Sequence, residues 1–327
     1  MKYEIRSVKF LIFSLFICSV LEGQTEITSK HFVVRYDQGS KETAHMAADA
    51  AEKARVMVTN ILGIEVPSAV LIQVVSSRGA FGKDQPAQPG EIPGWAAGTA
   101  YPSRQLIFIR QPVGADLTYN DIAEVVTHEY THIAVGYYLN EKEIPRWFEE
   151  GVADFISSGR SWSAAATIGI ASLSGRLISF EALDSYWPSS QSEADIAYAQ
   201  AADFVDFIES RYGPGAIRAI LEKIQKTGDF NSAVIMVTGK PLQALEYAWL
   251  DHVIKKYRWI PLLTGGVGIW MLGSLLVIVG YFRKRRINRL KLQLWEIEEK
   301  VGRASYAAER KIEEDNNGED TGGVPYQ

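Results

Sequence analysis

The pattern of hydrophobic and polar positions predicts several strands within residues 31–110. Residues 31–36 form an alternating run and residues 70–75 an apolar run, so both predict strands, with a helix predicted over residues 41–62 between them. Residues 95–101 and 105–110 are separated by a proline-containing turn and predict a β-hairpin. This part is therefore predicted to form a small sheet with one helix.

Helical periodicity begins at Asn120. A helix is predicted over residues 120–139, with Asn120 suited to the N-cap, and a second over residues 147–156 after Pro145. Residues 194–256 continue as helices separated by glycine, proline and aspartate. Because the strands precede the helices instead of alternating with them, the order predicts an α+β fold rather than a doubly wound α/β fold.

Two long apolar segments lie outside this pattern, the first of them at the N-terminus. Residues 10–21 are uncharged, follow three basic residues and precede the small residue Gly23, which predicts a secretory signal peptide over residues 1–23. An uncleaved anchor is the alternative, although this run is short for a hydrocarbon layer of about 30 Å. The single cysteine, Cys18, lies within the segment.

The second apolar segment predicts a membrane anchor. Residues 259–282 contain no charged residue and have aromatic residues at both ends, as expected of a transmembrane helix. Basic residues follow directly at 283–286, so the positive-inside rule places the C-terminus in the cytoplasm. The predicted layout is a single-pass protein of the cell membrane with an extracytoplasmic domain of residues 24–258 and a cytoplasmic tail of residues 283–327.

The net charge and the cysteine content limit the partners and the metal ligands that this chain can use. The formal net charge of -5 argues against nucleic acid as a partner, since phosphate binding requires a basic surface. Once the signal peptide is removed, the mature chain contains no cysteine. A bound metal would therefore need histidine and carboxylate ligands.

One short stretch predicts a catalytic metal site, the sequence HEYTH at residues 128–132. Positions i and i+4 share one face of a helix, so His128 and His132 direct ring nitrogens at the same ion. Glu129 follows the first histidine and is placed to reach a water molecule on that ion as the general base of hydrolysis.

A catalytic zinc site needs a third protein ligand and leaves one position open. The segment PRWFEEGVAD at residues 145–154 offers Glu149 and Glu150, and sequence distance alone allows either. Glu150 is favoured because Asp154 lies four residues beyond it. One helix would then supply both a ligand and a carboxylate that orients a ligand imidazole.

HEYTH followed by WFEEGVADF resembles the gluzincin metallopeptidases, and most closely the peptidase MA-like domain family, over about residues 28–257. The resemblance implies a zincin-like fold, with a small mixed sheet, an active-site helix and a helical C-terminal subdomain. It also implies one Zn²⁺ ion bound by His128, His132 and Glu150, with Glu129 activating water on the metal.

The better-known branches of these peptidases fit only in part. The thermolysin-like branch has an aspartate matching Asp154, which orients a zinc histidine. The aminopeptidase branch anchors the substrate amine with a glutamate-containing strand, whereas residues 94–100 contain no glutamate, so an endopeptidase is expected. Val135 and Tyr138 occupy the positions where metzincins require glycine and histidine, which excludes that class.

Hydrolysis of a peptide also benefits from a hydrogen-bond donor for the developing oxyanion, and the resemblance to gluzincins implies a tyrosine or histidine beyond the third ligand. Tyr198 is the candidate, because peptidase MA-like domains resemble this chain in carrying a tyrosine at the start of a helix; the alternative is a tyrosine packed in the core. The predicted hairpin of residues 94–110 adds an edge strand that would pair with an extended peptide, or that serves only as the edge of the sheet.

Self-association has two candidate surfaces. Gly266, Gly273 and Gly280 recur at seven-residue intervals in the predicted transmembrane helix and form a small-residue stripe. Apolar residues repeat with heptad spacing over residues 290–308 of the tail. That pattern predicts a short coiled coil or, equally, a lone solvated helix.

The predicted function is a membrane-anchored zinc metallopeptidase that cleaves proteins or peptides of the cell envelope. The alternative is a non-catalytic zincin-fold scaffold that couples the exported domain to a cytoplasmic partner. The intact HEYTH motif together with a third ligand favours the enzyme.

Overall fold

A computed structural model describes residues 24–76, 95–111, 119–140, 142–159, 161–257 and 266–318. The chain separates into two units, Met1–Arg258 and Trp259–Gln327. The predicted signal peptide of residues 1–23 lies outside the described residues.

The first unit contains a mixed five-stranded sheet. Its strands in chain order are β1 Gln24–Thr28, β2 Phe32–Asp37, β3 Val70–Val75, β4 Gly98–Tyr101 and β5 Leu106–Arg110. Their order in space is β1-β2-β3-β5-β4, with parallel pairs in the centre and an antiparallel pair at each edge. The predicted hairpin is confirmed as β4 and β5. The edge strand β1 was not predicted, because its short and mostly polar sequence is typical of a loop.

Helices form most of the described chain. They are α1 Lys41–Leu62, α2 Tyr119–Leu139, α3 Arg146–Ser157, α4 Trp162–Leu173, α5 Phe180–Ser185, α6 Gln191–Tyr212, α7 Ala216–Thr227, α8 Phe230–Thr238, α9 Leu242–Tyr257 and α10 Gly266–Gly318. The predicted α+β fold, with a small mixed sheet and mainly helical content, is confirmed. The helix α1 joins the parallel strands β2 and β3, as such a crossover requires. No helix was predicted where α4 and α5 lie.

Two glycines allow close packing around α2 and α3. At Gly151 of α3, an added Cβ atom would lie 2.7 Å from the backbone oxygen of Ala201 on α6. Because a side chain does not tolerate so short a contact, glycine permits α3 and α6 to approach this closely. Gly136 has the same role where α2 passes Pro102.

Aromatic side chains hold α3 within the helical part of the first unit. The ring of Trp147 lies 4.6 Å from that of Phe180 and 5.4 Å from that of Phe204, measured between centroids. The ring of Trp249 lies 5.4 and 5.6 Å from the same two phenylalanines. All four side chains are fully buried. Since large buried rings dominate core energetics, this cluster ties α3, α5, α6 and α9 together.

A buried carboxylate secures the C-terminal end of α9. Asp203 on α6 accepts hydrogen bonds from Trp249 Nε1 at 2.9 Å, from Lys256 Nζ at 3.1 Å and from the hydroxyl of Tyr257. A buried charge is costly unless it is paired and hydrogen-bonded, and these three donors satisfy that requirement.

The second unit consists, in its described part, of the helix α10. Within the described ranges no helix of the protein combines the length and the hydropathy of a membrane-spanning segment. The predicted transmembrane helix over residues 259–282 begins outside those ranges, at residues 259–265. Heptad positions of the tail such as Leu290 and Leu294 are exposed on α10, and self-association stays a prediction.

Candidate metal centre and active site

The helix α2 presents two imidazoles on one face. His128 and His132 lie four residues apart on α2, and their Nε2 atoms are 3.1 Å from each other. Their side chains are largely buried, with exposed fractions of 15% and 13%. The four-residue spacing places both imidazoles on the same face of α2.

Glu150 on α3 completes a group of three donor atoms. Its Oε2 atom lies 3.4 Å from Nε2 of His128 and 3.5 Å from Nε2 of His132. In a tetrahedral zinc site with bonds of about 2.0 to 2.1 Å, the ligand atoms lie about 3.3 Å from one another. The three separations match that spacing, so these residues could hold one metal ion.

Carboxylates of α3 contact the outer nitrogen of each imidazole. Asp154 Oδ1 lies 3.1 Å from Nδ1 of His128, and Glu149 Oε1 lies 3.0 Å from Nδ1 of His132. Such contacts hold the proton on Nδ1 and leave Nε2 free to bind a metal. The structure therefore places Glu149 outside the donor group. The sequence had suggested Glu149 only as an alternative ligand and did not predict this contact.

The surrounding carboxylates favour positive charge at the two imidazoles. Burial lowers the pKa of His128, but its hydrogen bonds to Asp154 and Glu150 outweigh this effect and raise the pKa to about 10. Burial also opposes protonation of His132, yet Glu149 and Glu150 raise its pKa well above the ordinary value. Burial raises the pKa of Glu150, and the hydrogen bonds to both histidines more than reverse this. A cation that binds here replaces protons, so metal binding would release them.

Glu129 lies between the donor group and the edge strand β4. Its side chain is 8% exposed, and a Cβ atom added to Gly98 of β4 would lie 2.7 Å from its Oε1 atom. Burial raises the pKa of the Glu129 carboxyl, while His128 and His132 act in the opposite direction. A buried carboxylate with a raised pKa beside possible metal donors is a candidate general base.

Tyr198 on α6 lies beside the histidine pair. Its ring centroid is 6.0 Å from that of His128 and 5.1 Å from that of Trp187. Burial raises the pKa of the phenol well above its ordinary value, and the carboxylates of Glu150 and Asp154 add to the rise. The hydroxyl is therefore protonated at neutral pH and available as a hydrogen-bond donor.

Three residues near the site were not predicted from the sequence: Trp95, Arg146 and Trp187. The ring of Trp95 lies 6.2 Å from that of Tyr198. Arg146 Nε lies 3.5 Å from Glu150 Oε1, and its Cζ atom lies 5.1 Å from the centre of the Trp187 ring. The four-residue spacing of Arg146 and Glu150 was a usable signal for the arginine. The tryptophans are brought in by tertiary structure.

The chain is similar to known proteins in its sequence. Residues 68–255, more than half of the chain, match the Peptidase MA superfamily. An uncharacterized protein of Bacillus subtilis (strain 168), YhcO, is 27% identical over 130 residues, which cover 37% of this chain and 38% of YhcO.

Among solved structures, the Legionella pneumophila aminopeptidase A in complex with aspartic acid is similar with a TM-score of 0.43 and 14% identity. The match covers 70% of this chain and 27% of the aminopeptidase. The chain thus spans well under half the length of both relatives. From the match over residues 68–255, the chain belongs to the peptidase MA superfamily and contains a metallopeptidase-like domain.

Proposed function

We propose that this protein is a membrane-anchored zinc metallopeptidase of the gluzincin type that hydrolyses peptide bonds in proteins or peptides of the cell envelope. The observation that supports it best is the convergence of three donor atoms, from His128, His132 and Glu150, within 3.1 to 3.5 Å of one another. Glu129 lies beside this group, next to an edge strand of the sheet.

The choice of zinc rests on the donor set. Two imidazole nitrogens and one carboxylate oxygen form the ligand set of many catalytic zinc sites, which keep a further position open. A bound zinc ion would polarise the scissile carbonyl and lower the pKa of a water molecule. With a metal bound, Glu149 and Asp154 would accept the Nδ1 protons of the imidazoles and so favour the tautomer that such binding requires.

Glu129 moves the proton in the proposed reaction. Its carboxylate takes a proton from the attacking water and delivers it to the nitrogen of the leaving amine, so the water oxygen bonds to the carbonyl carbon as the C–N bond breaks. Tyr198 donates a hydrogen bond to the oxygen on which negative charge develops. Burial and the carboxylates of Glu150 and Asp154 raise the pKa of this phenol, which favours its protonated, donor form.

The edge strand β4 offers a means of aligning the substrate. β4 pairs with β5 on one side and lies at the end of the sheet, and within the described residues no further strand pairs with its other side, which an extended peptide would join. Because Gly98 of β4 packs against Glu129, a peptide paired with β4 would pass close to the general base.

Membrane anchoring is part of the proposal. It is supported by the uncharged residues 259–282 and by the basic residues 283–286 that follow them. An extracytoplasmic location of the peptidase domain follows from the same charge distribution and from the N-terminal apolar segment.

Metal removal tests the proposed function. The full chain, purified in detergent, is analysed for metal content and for cleavage of a mixed peptide library before and after treatment with 1,10-phenanthroline. We expect one zinc ion per chain, cleavage that the chelator abolishes, and recovery on adding Zn²⁺. Zinc-loaded protein without cleavage would favour the scaffold function, and cleavage resistant to the chelator would contradict a metal-dependent mechanism.

Gly98→Ala is expected to impair catalysis by displacing Glu129. The new methyl group would lie 2.7 Å from Cγ and Oε1 of Glu129, so the strand or the carboxylate has to move. We expect destabilisation of about 1 to 3 kcal/mol and a fall in kcat of about tenfold to a hundredfold, with zinc retained. Thermal unfolding, zinc content and kcat measure these effects. Gly39→Ala is the control, because its added Cβ meets nothing within 4 Å. An unchanged kcat in Gly98→Ala would contradict the contact.

A further inference from the structure

A cationic side chain lies at the rim of the donor group. Arg146 is the first residue of α3, and its Nε atom lies 3.5 Å from Oε1 of Glu150. That oxygen is not the one that approaches the histidines, which is Oε2. At 3.5 Å the hydrogen bond is long and weak, so the guanidinium is not strongly engaged by Glu150.

An aromatic ring holds the guanidinium in place. The Cζ atom of Arg146 lies 5.1 Å from the centre of the Trp187 ring, within the range of a cation–π contact. Trp187 is itself buried and packs edge-on against Tyr198, with centroids 5.1 Å apart. The guanidinium of Arg146 and the ring of Tyr198, the candidate oxyanion donor, therefore contact the same Trp187 side chain.

The guanidinium is nevertheless accessible. The side chain of Arg146 is 54% exposed. Among the described residues, no acid contacts it except Glu150, whose charge is already shared by the two imidazoles. The other charged side chains in contact with the histidines, Glu149 and Asp154, are acids. Arg146 thus places an exposed cationic side chain at the rim of the donor group.

We propose that Arg146 determines substrate specificity by binding a carboxylate of the substrate close to the scissile bond. This inference rests on the proposed peptidase function. The planar guanidinium has paired N–H donors that match a carboxylate, which a lysine does not reproduce. Because Arg146 contacts a metal-ligand side chain, and residues of a peptide are spaced about 3.8 Å apart, the carboxylate belongs to a residue one or two positions from the cleaved bond.

Two sources supply such a carboxylate: an acidic side chain next to the cleaved bond, or the free C-terminus of a short peptide. Matched peptide pairs distinguish them. One pair differs by Glu against Gln at positions flanking the bond, with both peptide ends blocked. The other pair differs by a free acid against an amide at the C-terminus. The pair for which the carboxylate member is preferred identifies the source.

Arg146→Gln is the test variant, and Arg218→Gln is the matched control. Arg218 lies on α7, is 50% exposed and also contacts a glutamate four residues away, Glu222, at 3.0 Å. We expect Arg146→Gln to raise KM and so to reduce kcat/KM by about tenfold or more for the peptide of one pair that carries the carboxylate. The kcat/KM of the uncharged peptide in the same pair changes by less than about twofold. Zinc content stays at wild-type level, and Arg218→Gln leaves both members unchanged.

Binding to the zinc-loaded, full-length Glu129→Gln chain keeps the result independent of catalysis. Fluorescence anisotropy of the same labelled peptides measures the preference with and without Arg146→Gln. If the carboxylate peptides bind preferentially, this preference depends on Arg146, and the wild-type chain cleaves no peptide, the proposed peptidase function is wrong and the carboxylate-binding site is supported. Equal losses for both members of every pair, or loss of zinc, would overturn the inference, since Arg146 would then only support Glu150.

Discussion

Glu129→Gln is expected to slow peptide cleavage strongly while the protein still binds one zinc ion. The glutamine has nearly the same shape, but its amide accepts no proton from water. The loss of a general base reduces the rate by about a hundredfold to ten-thousandfold. Zinc remains bound because the three donor atoms belong to His128, His132 and Glu150. Measurement of kcat together with zinc content per chain tests both parts of the expectation.

Glu143→Gln is the control for this variant. Glu143 is an exposed residue between α2 and α3, so its substitution makes the same change in charge without touching the site. Cleavage by Glu129→Gln at the wild-type rate would contradict the proposed mechanism. Loss of zinc from Glu129→Gln would instead show that Glu129 is needed for the geometry of the donor group.

Neutralising two adjacent glutamates of α3 is expected to have unequal effects on zinc affinity. Glu150→Gln removes the anionic ligand and should nearly eliminate tight zinc binding. Glu149→Gln removes a contact to the outer nitrogen of His132, at 3.0 Å, and should weaken zinc binding by about tenfold to a hundredfold. Competition with a chelator of known affinity measures both variants.

The order of the two effects decides between the alternatives that the sequence left open. A greater loss of zinc affinity in Glu149→Gln than in Glu150→Gln would contradict the placement of Glu150 in the donor group. Circular dichroism of both variants controls for folding, since α3 packs tightly against α6 at Gly151.

Helix periodicity accounts for the part of the site that was predictable. His128, Glu129 and His132 lie within one helix, so their spacing alone places both imidazoles on one face. Strand and turn patterns likewise predicted β4 and β5, and the order of strands and helices predicted an α+β fold. These features depend on neighbours in the chain, which is why the sequence by itself determined them.

Tertiary structure decided which acid completes the donor group. Glu149 and Glu150 are neighbours on α3, so their side chains point about 100° apart around the helix axis. The rotation of α3 relative to α2 therefore selects Glu150 for the donor group and Glu149 for the outer nitrogen of His132. That rotation is set by packing, including the contact of α3 with α6 at Gly151 and the aromatic cluster around Trp147.

The residues around the donor group also come from tertiary structure alone. Trp95 precedes β4, Trp187 follows α5 and Tyr198 belongs to α6, yet the ring of Tyr198 lies 6.2 Å from that of Trp95 and 5.1 Å from that of Trp187. No local pattern relates these positions, because their proximity depends on how the sheet and the helices pack. The sequence by itself determined the paired histidines with Glu129 beside them and favoured Glu150. Long-range packing alone decided the approach of Glu150 to the histidines, the ring contacts of Tyr198 and the position of Arg146 over Trp187.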